Sequence, residues 1–73
     1  MQLETAQKIS KLMLECAERL NHSVQLVSEG SDPKELFDFR KSVGNIMGQI
    51  YCDVLGPIYK EYPEIMPKEL RRE

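Results

Sequence analysis

The residues of this 73-residue chain best suited to chemistry are one histidine and two cysteines. His22 follows Glu18 by four positions, one turn of a helix, so the pair can reach one surface ion. Both fall on a charged face, where a solvated His beside a solvated Glu is the simpler reading. A dinuclear site in a bundle core needs inward glutamates and a Glu-x-x-His pair on each of two helices; the chain has a single His. Neither Cys16 nor Cys52 has a second Cys or a His at ligand spacing. Neither has the activating neighbour that a nucleophilic thiolate needs. Both lie on or beside apolar faces and read as small buried hydrophobes. No catalytic residue, no cofactor site and no metal site is expected.

Other residues suggest contact rather than reaction. Gly44 and Gly48 stand four apart inside a helical pattern, and each costs about 0.8–1.0 kcal/mol relative to Ala there. With Cys52 they form a smooth strip, a packing groove for the first helix or a subunit partner, or room for a small ligand. Arg40 points into an apolar arc between Leu36, Val43 and Met47. Its stem can pack while its head reaches water or a carboxylate, or it can meet an anion or a partner. Tyr51, Tyr59, Tyr62, Ile65 and Met66 gather near the C-terminal end. Tyrosine suits interfaces, with its apolar body and polar tip. Ile65 and Met66, set between Pro63 and Pro67, are expected to fold back on the tyrosines across a subunit boundary.

Two helices must position these residues. From Leu3 to Val27, Ala6, Ile9, Met13, Cys16, Leu20, Ser23 and Val27 alternate by threes and fours, an amphipathic helix over about 3–29. Gly30 suits a left-handed position past its end. Asp32 is an N-cap, Pro33 fits the first helical position, and Glu35 has capping-box spacing. The turn is therefore 30–32, and so short a connection joins antiparallel neighbours. A second helix follows over about 33–62. Leu36, Phe39, Val43, Ile46, Met47, Ile50, Tyr51, Val54 and Ile58 share its broad face, with Phe37, Gly44, Gly48 and Leu55 on a shoulder. Gly56-Pro57 should kink it near 57. Residues 63–73 form a tail. A turn centred near Ser31 puts Cys16 and Cys52 ~10 Å out of register, beyond the roughly 7 Å that a disulfide spans.

Composition limits the classes. Hydrophobic residues are 41% and charged residues 30%, a globular balance, with no Trp and five aromatics. A single domain of this size has little core to set against chain entropy and needs a disulfide, a metal or a second subunit. The formal net charge is −2, with both signs interspersed, and Arg71 and Arg72 are too small a basic patch to point to nucleic acid. No apolar run is long enough to span a bilayer and the start lacks signal-peptide features, so a cytoplasmic protein with no membrane partner is expected.

The segment Pro57-Ile58-Tyr59-Lys60-Glu61-Tyr62-Pro63-Glu64-Ile65-Met66-Pro67 resembles the ends of small, uncharacterised bacterial helical-hairpin proteins. The resemblance covers about eleven residues and implies a helical hairpin without an assigned activity. In outline the hairpin is also similar to plasmid copy-control RNA-binding dimers, a likeness of architecture alone. The expected fold is all-α, an antiparallel helical hairpin pairing into a homodimeric four-helix bundle. The expected role is a non-catalytic protein-interaction or regulatory protein. The alternative is a nucleic-acid-associated regulator built as a hairpin dimer.

Overall fold

The computed structural model describes residues 1–70. It is an all-α hairpin, with no strand among the described residues. Helix α1 spans Leu3–Gly30 and α2 spans Pro33–Gln49. A π-helical segment, Ile50–Leu55, leads into α3, Gly56–Glu61. Two 3₁₀ turns follow, Pro63–Ile65 and Lys68–Leu70. Arg71 and Arg72, the basic pair noted above, lie outside the described residues.

The start of α2 forms as its residues dictate. Asp32 has extended backbone, and its Oδ1 accepts the Glu35 backbone N–H at 2.8 Å. Pro33 follows at the first helical position, where its missing N–H leaves no bond unmade. The end of α1 differs from expectation. Gly30 is its last helical residue, and no glycine has positive φ. Ser31 is extended (φ −124°, ψ 159°), and so is Asp32. With the cap of the next helix already at Asp32, no residues remain for a left-handed fold-back, and two extended residues reverse the chain.

The larger departure is the π-helix. An α-helical residue 57 would donate to the carbonyl of Asp53, but Pro57 has no N–H and its ring crowds that carbonyl. The helix widens before it, and an extra residue enters the turn. A Cβ added to Gly56 would lie 3.4 Å from the Tyr51 carbonyl oxygen, ordinary contact, so the π segment does not depend on the glycine's missing side chain. The extra residue rotates all that follows by ~100° relative to a uniform helix. Leu55, expected on a shoulder, is fully buried, and Val54, expected on the broad face, is 37% exposed.

The core sits at the far end from the turn. Ala6, Leu55, Ile58 and Tyr59 are buried together, with Ile9, Met13, Leu14, Ile50, Tyr51, Tyr62, Ile65 and Met66 packed around them. Nearer the turn, Ala17 and Val43 are buried. The buried stripe of α1 is thus Ala6, Ser10 and Ala17, all small. It starts on the expected stripe at Ala6 and runs along the edge of it through Ser10 and Ala17: Ile9, Leu20 and Val27 are half-buried, and Cys16 is exposed. Small residues let α2 and α3 bring their larger side chains close.

The rotation has a measurable consequence. Leu55→Ala should lower stability by about 2–5 kcal/mol, as for a packed core leucine, while Val54→Thr should stay within roughly 0.5 kcal/mol. Urea denaturation of the two variants checks it. A costly Val54→Thr beside a neutral Leu55→Ala would indicate a uniform α-helix through Pro57.

Candidate functional site

The residues singled out by sequence separate into an end clasped by the tail, a cleft near the turn and an exposed strip. At the clasped end, Tyr59 is buried and Tyr51, Tyr62, Ile65 and Met66 are half-buried. Ile65 and Met66 pack on the core of their own chain, so the fold-back needs no second subunit. The tail straddles the two arms. Ile65 and Pro67 border a cleft with Gln7, Ser10, Lys11 and Leu14 of α1. Met66 and Leu70 border another with Tyr51, Gly56, Tyr59 and Lys60.

Ser10 and Tyr59 join the arms beneath the tail. Their hydroxyls share a hydrogen bond of 2.5 Å, and both residues are buried. Burying two hydroxyls without partners would be costly; paired, each satisfies the other. The Tyr62 hydroxyl donates to the Met1 carbonyl at 2.6 Å, and the Met1 ammonium lies 3.7 Å from a Glu61 carboxylate oxygen. The ion pair is solvent-exposed and adds little. Ser10 was not among the expected site residues. Its signal was its place one turn after Ala6 and seven residues before Ala17, a line of small residues beside the larger apolar ones.

Arg40 is exposed. It borders a cleft of about 550 Å³ with Glu18, Asn21, His22, Val24, Gln25 and Ser28 of α1, and makes no ion pair among the described residues. The cleft is open and mixes both signs of charge. Arg40 thus faces residues of α1 across this cleft. Glu18 and His22 do share a surface, as their spacing implies. Among the described residues, no three His, Cys, Asp or Glu side chains group as metal ligands.

Gly44 and Gly48 do not supply the packing groove for α1 that was one of their two expected packing roles. A Cβ added at either meets nothing within 4 Å, so the contact between α1 and α2 is not built on them. Cys16 and Cys52 are free and exposed rather than buried. The strip Gly44–Gly48–Cys52 faces away from α1 because Val43 and Met47, one position earlier in each turn, take the contact side.

The clefts also sort the hairpin's two broad faces. Ser10, Leu14, Asn21 and Gln25 fall on one line of α1, and Arg40 and Tyr51 on the same side of α2. This is the tail face. At ~100° per residue, the opposite face carries Ile9, Leu12, Cys16, Leu20 and Val27 from α1. From the other arm it carries Phe39, Ile46, Ile50 and Val54. Leu12 and Ile46 are 52% and 45% exposed. No helix is long and apolar enough to cross a membrane among the described residues.

Two measurements follow. Tyr59→Phe should cost about 1–3 kcal/mol by stranding the Ser10 hydroxyl, and Ser10→Ala added to it should recover part of that loss. Additive losses in the double-mutant cycle would show that the hydrogen bond contributes nothing of its own. At the glycine strip, Gly48→Ala should stabilise by up to about 1 kcal/mol through helix propensity, and Gly48→Leu should not destabilise. A loss of more than about 1 kcal/mol in Gly48→Leu would instead reveal a packed surface.

No family model matches the chain, and neither a curated protein nor a solved structure matches it.

Proposed function

We propose that this protein is a small, non-catalytic interaction protein. Two hairpins join through their open apolar faces into a four-helix bundle, and their tail faces point outward to meet another protein. The observation that supports this reading is that both arms place apolar side chains on one side of the hairpin, Ile9, Leu12, Leu20 and Val27 beside Phe39, Ile46 and Val54. The other side is occupied by the tail and a polar cleft. Soluble monomers rarely leave a continuous apolar face of that length in water. With Cys16 between them, Leu12, Leu20 and Val27 recur at fours and a seven along α1, beside the intrachain contact.

Size agrees with this pairing. The molecule measures 44 × 23 × 19 Å. Its broad face therefore offers on the order of 800–1,000 Å², against the ~800 Å² per partner of a standard stable interface. The small core adds a thermodynamic motive, because each hairpin alone buries few large side chains.

Sedimentation equilibrium at micromolar concentration should give twice the 8.5 kDa chain mass. Leu12→Lys and Ile46→Lys, at positions already exposed in one hairpin, should shift the protein toward monomer. Phe37→Lys, more exposed still but off this face, should leave the dimer intact. A fully helical 8.5 kDa monomer would defeat the proposal.

A further inference from the structure

The cleft between the π segment, α3 and the tail has a composition of its own. It is lined by Tyr51, Gly56, Tyr59, Lys60, Met66 and Leu70 and is an open groove of about 410 Å³, within the roughly 300–1,000 Å³ usual for small-molecule sites. Two aromatic rings, a thioether and an isobutyl group form the walls, and Gly56 contributes no side chain. The Tyr59 hydroxyl is engaged with Ser10, so its ring alone faces a ligand. The Tyr51 hydroxyl has no hydrogen-bond partner among the described residues. Among the described residues Lys60 is the one charged residue of the lining, and it makes no ion pair with any of them.

We infer that this cleft binds a monocarboxylate amphiphile. The acyl chain lies between Tyr51, Tyr59, Met66 and Leu70, and the carboxylate meets the Lys60 ammonium at the rim. The lining sets the ligand's chemistry. Apolar walls select an apolar body, and one ammonium without an ion pair among the described residues selects a negative charge at one end. The unpartnered Tyr51 hydroxyl is a second donor for that head group. The Arg40 cleft lacks this selectivity, because Glu18 lines it beside Arg40. The site lies on the tail face, so occupancy is independent of pairing through the open face.

The test is a titration of the isotopically labelled full chain with octanoate below its micellar concentration, read by amide chemical shifts. Octanol and acetate are the comparison ligands. Octanoate should give saturable shifts clustered at Tyr51, Gly56 and Lys60. It should bind about tenfold more tightly than octanol, the ratio expected of one charge-assisted contact. Acetate should not bind. Lys60→Gln, at an exposed position, should remove the preference for octanoate while octanol binding stays unchanged. Equal affinity for octanoate and octanol would overturn the inference. So would shifts that fail to saturate, or that centre on Leu12 and Ile46, since those mark adsorption to the open face.

Discussion

Pro57 lacks a backbone N–H, and the placement of the core depends on how the helix accommodates that loss. The wider π turn at Ile50–Leu55 absorbs the missing bond and adds one residue to the path. From that point each side chain takes the angle that a uniform helix would give to the residue before it. Leu55, Ile58 and Tyr59 enter the contact with Ala6, and Val54 turns outward. A local backbone constraint thus chooses which apolar residues become core. Kinks of this origin are specific in direction, because the proline fixes where the ladder must open.

The clasped end follows from that rotation. With Tyr59 turned inward, its hydroxyl needs a partner, and Ser10 supplies it from the opposite arm. The small side chains of Ala6, Ser10 and Ala17 permit the approach. Over this pair the tail lays Ile65 toward α1 and Met66 toward α3, each half-buried. The prolines before and after them narrow the conformations the tail can adopt and so reduce the entropy lost on packing. The hydrogen bond, the close approach and the tail are one arrangement, since each shields or satisfies another.

Having covered one face, the chain leaves the other apolar. The asymmetry is clearest in α1, whose Leu20 and Val27 stay half-exposed although they carry the strongest helical pattern in the sequence. A hairpin offers each helix one neighbour, while an apolar arc wider than one contact requires more. The division into a covered face and an open face separates two surfaces of different chemistry. One is a long aliphatic strip; the other holds tyrosines, methionine and isolated cations.

Local features of the chain were determined by sequence alone. The periodicity from Leu3 to Val27, the Asp32-Pro33 start and the disturbance at Gly56-Pro57 each act within a turn or two of the residues that cause them. They define two helices, a short reversal and a bend. Tertiary structure decided the rest, because it depends on helix phase. Whether Val54 or Leu55 is core turns on one extra residue per turn, which the words glycine and proline do not specify. Gly44 and Gly48 lie in open space because Val43 and Met47 won the contact side, a competition between neighbours that periodicity scores almost equally. Ser10 became a buried partner only once Tyr59 was brought to it across 49 positions of chain, a distance over which no local pattern carries information.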